Sequence, residues 1–267
     1  MQKNARERRS IGRQVEGVLA RAALLRLIAQ GFGYPAAGAA AAMCEGFARL
    51  DCVRERRGTF PSELGASIER AQRAWCEATD DGLEREYMRL FHSAGPVSLR
   101  ETAYGDGRRP AGRPVDLADV GGFYAAFGVN PSDDNPNMPD HVGIETEFVS
   151  LLLLKEAYAL EGGLRSQRQV TRKAARAFLQ DHLGRWTPAL RARLDEENAS
   201  PPFGTLAVML SEIISAECRR LRARPSLVEG PAPTDDMQAE TFVCPLAEKH
   251  VPAPDDRAPW ESGPPKI

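Results

Sequence analysis

The stretch PDHVGIETEFVSLLLLKEAYAL, Pro139 to Leu160, decides the fold. It reads as one long helix opened by Pro139 and Asp140, residue types suited to a first turn. At about 100° per residue, His141, Glu145, Phe148 and Leu152 form one column. Asp140, Ile144, Glu147, Leu151, Leu154 and Tyr158 form the column beside it. Four consecutive leucines, Leu151 to Leu154, leave this half without a polar face, so it is expected to run through the middle of a helical bundle. The N-terminal end carries Asp140, His141, Glu145 and Glu147. Two readings of that crowding stand open. Acidic groups favour a helix N-terminus, where the macrodipole stabilises each by roughly 0.3–1 kcal/mol. A buried helix with an ionisable entry also describes the mouth of a groove.

Working outward, every other segment has the same period. Residues 14–32 place Val15, Val18, Leu19, Ala22, Leu25, Ile28, Ala29 and Phe32 at helical spacing, with arginines opposite. Tyr34-Pro35 breaks that helix, and an alanine-rich one follows over about 36–56. A third starts at Ser62, and a shorter one covers Leu83 to Phe91. The loop 92–114, rich in Gly, Pro and Arg, is long for a compact domain and of the kind that is often functional. Helix resumes at about 115–128. Asn130 to Met138 (NPSDDNPNM) is packed with turn formers and reads as a hinge delivering the chain to the central helix. After Gly162-Gly163 a helix spans about 167–183 and stops at Gly184. Thr187-Pro188 reads as N-cap and first residue of the next. A final helix covers about 203–224. No alternating strand pattern appears, so the expected fold is a single all-α bundle over residues 14–224, preceded by a basic lead at 1–13.

Composition narrows the partners. The chain has 267 residues, 42% of them hydrophobic and 27% charged, as in ordinary globular proteins. A net charge of −2 argues against nucleic-acid binding. Nine prolines and eight acidic residues lie beyond Arg224, so 225–267 is expected to be an extended acidic tail, without a core of its own and adding little to stability. Five scattered cysteines, with no CxxC pair, fit a reducing cytoplasm rather than a disulfide framework or a zinc site. No apolar run approaches the ~18 residues of a membrane span, so stable membrane insertion is not expected. Arg8-Arg9-Ser10-Ile11 has the look of a twin-arginine export signal. The charged residues Arg13, Glu16, Arg21 and Arg26 occupy the place of an uncharged h-region, and the reading is a basic lead to a helix.

Catalytic motifs are missing: no phosphate-binding GxxxxGK[ST], no dinucleotide glycine fingerprint, no GxSxG and no HExxH. One enzyme reading survives as the alternative. Asp140, His141, Glu145 and Glu147, with Glu86, would hold a metal or serve a nucleotide in a helical bundle, although the Glu-x-x-His pair of bundle-carboxylate enzymes is absent. Phe178, His182 and Trp186 fall at i, i+4 spacing and read as a packed core column.

Three segments together resemble the TorD/DmsD family, chaperones of molybdenum-containing oxidoreductases. The first is Glu86-Tyr87-Met88-Arg89-Leu90-Phe91, followed by Gly95 and Glu101-Thr102-Ala103-Tyr104, similar to that family's E-Y/F-x-x-L-F…G…E-S-x-Y stretch with Thr102 in place of serine. The second is Pro139-Asp140-His141…Glu145-x-Glu147-Phe148, similar to D-H-x-x-x-E-x-E-F/L. The third is Phe178-Leu179-x-x-His182-Leu183-x-x-Trp186-x-Pro188, similar to F-x-x-x-H-L-x-x-W-x-P. The long 92–114 loop and the tail look most like the branch that serves type II enzymes of the dimethyl sulfoxide reductase family. The resemblance implies a cytoplasmic, non-enzymatic protein with no cofactor of its own. It implies binding of the apo catalytic subunit, often through a twin-arginine signal peptide, until the molybdenum cofactor is inserted. Tyr87, Leu90, Phe91, Pro139, Asp140, His141, Glu145, Glu147 and Phe148 are the client-binding candidates. Their carboxylates are expected to meet the arginines, their apolar groups the h-region, and His141 is expected to titrate near neutral pH. Monomer and domain-swapped dimer both remain open, the segment 130–138 supplying the hinge.

Overall fold

A computed structural model describes residues 2–54, 60, 62–92, 95–105, 112–129 and 138–228. Most of the proposed hinge, part of the long loop and the tail from residue 229 lie outside the described residues. The chain is all-α. Helices α1 (Gln2–Gly31), α2 (Ala39–Arg54), α3 (Ser62–Cys76) and α4 (Asp80–Phe91) are followed by a single 3₁₀ turn at Glu101–Ala103. Then come α5 (Gly112–Ala126), α6 (Val142–Glu161), α7 (Arg165–Asp181), α8 (Leu183–Glu196) and α9 (Pro201–Leu221). Extended pairing among the described residues is limited to one isolated bridge, Arg100 with His141.

α6 is the axis, packed chiefly between α1 and α7, while α9 is covered by α3 and α8. Leu152, Leu153, Val149 and Phe148 are buried, as are Leu24, Leu25 and Ile28 of α1 and Leu206, Leu210 and Ile213 of α9. The leucine run is not buried on all sides. Leu154 is 42% and Tyr158 73% exposed, so the column that also holds Glu147 reaches solvent. The basic lead also differs from expectation: α1 begins at Gln2, taking in the arginine-rich segment.

Buried charge is dealt with in pairs. Glu156 of α6 and Glu217 of α9 are each 1% exposed. Glu156 accepts from Arg172 at 2.6 Å and from Arg220 at 2.8 Å, while Glu217 meets Arg220 at 2.8 Å and Arg21 at 2.7 Å. Four helices are thereby keyed together at fixed register. Such a cluster resists removal of one partner far more than it adds net stability.

Two local expectations fail for tertiary reasons. Thr187-Pro188 does not start a helix: the chain breaks at His182 (φ −127°, ψ −105°) and α8 runs from Leu183, with Pro188 inside it. The break falls early because the His182 ring is held from two sides, as described below. Gly184 permits the tight corner, where any Cβ would collide with the Leu179 carbonyl. The cysteine reading is also corrected. Cys44 and Cys76 form a disulfide, their Cα atoms 4.9 Å apart, joining α2 to the end of α3. Residues 32 apart in sequence carry no visible pairing signal; the packing of α2 on α3 brings them together.

Candidate functional site

The three motif segments converge where α4 ends, α6 begins and α7 turns into α8. The link is the extended segment after α4. Val97 N–H donates to the Leu90 carbonyl (3.0 Å), Val142 N–H to Leu99 (2.8 Å) and Glu101 N–H to Asp140 (2.9 Å). This bridging holds His141 extended after a turn at Pro139-Asp140, so α6 starts at Val142, later than the sequence suggests. His141, not Asp140, is the N-cap, its Nδ1 accepting from Gly143 N–H at 3.0 Å.

Asp140 is fully buried. Its carboxylate accepts from the Thr102 hydroxyl at 2.6 Å, from Thr102 N–H at 3.3 Å and from Arg100 Nε at 3.4 Å. Glu145 is also fully buried, and its Oε2 accepts from the Trp186 indole N–H at 3.2 Å. Burial, reinforced by the charge of Glu101, raises the Glu145 carboxyl well above the usual carboxylate range. Glu101 in turn lies 3.1 Å from Nδ1 of His182, and Asp119 on α5 lies 3.2 Å from Nε2. Burial alone would lower the His182 pKa, but the two carboxylates outweigh it and the net shift is upward. This set of contacts, Trp186–Glu145 and Glu101–His182–Asp119, runs from core to surface through α8, α6, the 3₁₀ turn, the α7–α8 corner and α5. Its work is to clamp the 3₁₀ turn and the α7–α8 corner onto α6.

The candidate residues divide by burial. Leu90, Asp140, His141, Glu145 and Phe148 are buried, and the three ionisable ones are committed to internal partners. Phe148 packs against Tyr124 and Phe178, with ring centres 4.8 and 4.9 Å away. Pro139 is half-buried, its carbonyl accepting from the Tyr124 hydroxyl at 2.8 Å. Burial lowers the His141 pKa to about 4 against the opposing charge of Asp140, so this histidine does not titrate near neutral pH. Nor do Asp140, His141 and Glu145 converge as a ligand set, since each points at a different partner. Among the described residues no group of three or more His, Cys, Asp or Glu side chains is arranged to hold a metal. Glu86 is locked to Arg89 (2.7 Å) and to Ser200 N–H (2.7 Å), fixing α4 to the start of α9.

What stays accessible lies beside this scaffold. Tyr87 and Phe91 are half-buried on α4 and belong to an edge-to-face ladder. Its members are Tyr34–Tyr87 (5.4 Å), Tyr87–Phe91 (5.0 Å) and Phe91–Phe203 (5.4 Å), and it leads inward to Trp75. Tyr34 is 54% exposed, its hydroxyl donating to Glu84, and Met88 is 40% exposed. One residue before Tyr34, Gly33 lines a depression of about 190 Å³ with Arg26, Gln30, Ile144 and Glu147. Glu147 is the exposed carboxylate of the candidate set. The end of α1 thus joins an exposed aromatic strip to a depression lined by both Glu147 and Arg26. Sequence reading passed over Tyr34 and Met88, since an exposed aromatic has no periodic signature.

The motif residues of this all-helical bundle clamp a turn, and an apolar face lies beside them. The chain belongs to the nitrate reductase delta subunit family, whose model matches residues 58–192 and spans all three motif segments. These are the TorD/DmsD-type chaperones of molybdoenzyme maturation, not enzymes. The chain is 32% identical over 162 residues to the chlorate reductase assembly chaperone protein of Ideonella dechloratans, covering 57% of this chain and 82% of that one. It is 32% identical over 143 residues to the selenate reductase assembly chaperone protein of Thauera selenatis, covering 54% and 72%. The perchlorate reductase assembly chaperone protein of Dechloromonas aromatica (strain RCB) is 23% identical over 209 residues, covering 78% and 92%. No described helix is long and apolar enough to cross a membrane.

Proposed function

We propose that this chain binds, in the cytoplasm, the apo catalytic subunit of a molybdenum oxidoreductase of the dimethyl sulfoxide reductase family. It holds that subunit until its cofactor is in place. A twin-arginine signal peptide on the client docks where α1 ends, across Tyr34, Tyr87, Met88 and Phe91, with an arginine reaching Glu147. The observation that carries this reading is the aromatic ladder: it exposes Tyr34 and Met88 at the surface while its inner rungs are packed ring against ring. Rigid aromatic side chains give contact area at low entropic cost, which suits an apolar turn of a peptide. A partly desolvated arginine–carboxylate contact adds roughly 1.5–3 kcal/mol. The buried Asp140 and Glu145 take no direct part; they keep α6 and the 95–104 segment in place beneath the docking face. The test is tagged co-expression with the candidate catalytic subunit, with and without its signal peptide. Co-purification of the apo form and release after cofactor insertion are expected. Equal retention of the cofactor-loaded subunit would overturn the chaperone cycle.

A further inference from the structure

The disulfide sits at a junction on which α4 depends. Cys44 comes from the first half of α2 and Cys76 is the last residue of α3, their Cα atoms 4.9 Å apart. The two sulfurs are not equivalent, for Cys76 is exposed and Cys44 half-buried. Immediately before Cys76, Trp75 is 1% exposed and its indole N–H donates to the Pro202 carbonyl at 3.1 Å. Its ring meets Phe203 at 5.8 Å, and Phe203 meets Phe91 at 5.4 Å and Tyr87 at 6.2 Å. Shortly after Cys76 comes Asp80, which opens α4. Its carboxylate accepts from Gly38 N–H at 2.7 Å and Ala40 N–H at 3.0 Å, at the start of α2. Two ties thus hold α2 against the connection from α3 to α4: the covalent bond and the Asp80 carboxylate.

A disulfide opens when a thiolate attacks one of its sulfurs, and access decides which one. We propose that Cys76 is a thiol–disulfide exchange site for a small thiol of the glutathione class, and that opening the bond loosens α4 and its aromatic ladder. The thiolate bonds to Cys76 Sγ, the S–S bond breaks, and Cys44 Sγ leaves with the electron pair and takes a proton from water. A second thiolate then attacks the glutathione sulfur of the mixed disulfide and releases Cys76 as its thiol. Two small thiols are thereby oxidised to one disulfide, and the protein gains two electrons and two protons. Oxidised glutathione drives the reverse. Arg73 and Glu77 flank Cys76 and are both exposed, so neither sign of charge bars the reagent. Cys218 offers a contrast: it is buried in α9, and burial pushes its thiol up to about 11, as suits an inert cysteine. The exchange step stands on the two sulfurs alone. Its consequence for the client rests on the docking role proposed above, since α4 supplies Tyr87, Met88 and Phe91 to that face.

The test uses the full oxidised chain, treated with reduced glutathione, quenched with acid at short times and mapped by mass spectrometry. The mixed disulfide is expected on Cys76, with Cys44 released as a free thiol. Hydrogen exchange on the fully reduced chain should show the amides from Tyr87 to Phe91 exchanging about tenfold faster, and recovering after oxidised glutathione is added. A client's twin-arginine peptide should bind the reduced chain about tenfold more weakly. The Cys44→Ser/Cys76→Ser pair should behave as the reduced chain does and ignore glutathione. An adduct on Cys44, or on neither sulfur, would overturn the exchange site. Equal exchange of the α4 amides in the two states, or a reduced chain that no longer melts cooperatively, would make the bond a structural staple and overturn the switch. Equal peptide affinity in the two states would overturn the link to the client. A peptide that binds neither state defeats the docking role instead, and mapping with amide exchange still decides the switch.

Discussion

Replacing Asp140 by asparagine separates a client-reading carboxylate from a scaffold one. The side chain is fully buried and its strongest partner is the Thr102 hydroxyl at 2.6 Å. A hydrogen bond to a charged, buried acceptor contributes roughly 1.5–3 kcal/mol. Arg100 at 3.4 Å adds little, since its side chain is 47% exposed and solvent screens the pair. Asparagine keeps one acceptor oxygen but turns an N–H₂ toward donors. The expected cost is therefore about 2 kcal/mol, which in a domain of this size lowers the melting temperature by about 4–8 °C. Thr102→Val should cost a similar amount, and the double variant less than the sum, with a coupling energy of about 1–2 kcal/mol. Calorimetric melts of the four proteins measure this directly. An unchanged melt for Asp140→Asn, accompanied by loss of client binding, would refute the scaffold assignment and return Asp140 to the groove.

Trp186→Ala should cost about 3–5 kcal/mol by urea titration, since the indole is 1% exposed and anchors Glu145; Trp186→Phe should cost less and still lose the hydrogen bond. His141 gives a pH signature. Its folded pKa of about 4 lies below the ordinary 6.5, so the unfolded chain takes up a proton first as pH falls. Stability should decline across that window by up to about 3 kcal/mol, and His141→Asn, which keeps a capping acceptor, should flatten the acid limb of a plot of melting temperature against pH. The Cys44–Cys76 bond closes a loop whose ends are 32 residues apart. Reduction should lower the unfolding free energy by about 3–4 kcal/mol, and non-reducing peptide mapping that finds both thiols free would remove the bond.

The helices themselves were legible from sequence because each buries a stripe that recurs at helical spacing: Val15, Val18, Ala22, Leu25 and Ile28 all lie inside, as the period requires. Leu19 belongs to the same list yet is 42% exposed, since period alone does not set the width of a stripe. The motifs were found too, but their burial was not. Asp140, His141 and Glu145 look like a surface cluster when read along one helix. Their partners Thr102 and Trp186 come from elements 38 and 41 residues away in sequence, and that distance hides the burial. Thr187-Pro188 misled for the same reason: a local start signal lost to a corner fixed by Glu101 and Asp119 around His182. The exposed faces, Tyr34 with Met88 and Leu154 with Tyr158 and Val170, are departures from pattern, and only packing shows which apolar residues are left over.

The central claim is that the buried motif supports a docking face formed by the exposed ladder beside it. Calorimetric titration of a client's twin-arginine peptide into wild type and into the Tyr34→Ser/Met88→Ser pair tests it most directly. Both substituted positions are exposed, so the variant should melt as wild type does, and its affinity should fall by about tenfold or more, the equivalent of losing one well-packed apolar contact. Equal affinity in two folded proteins would contradict the account and place the client elsewhere on the bundle.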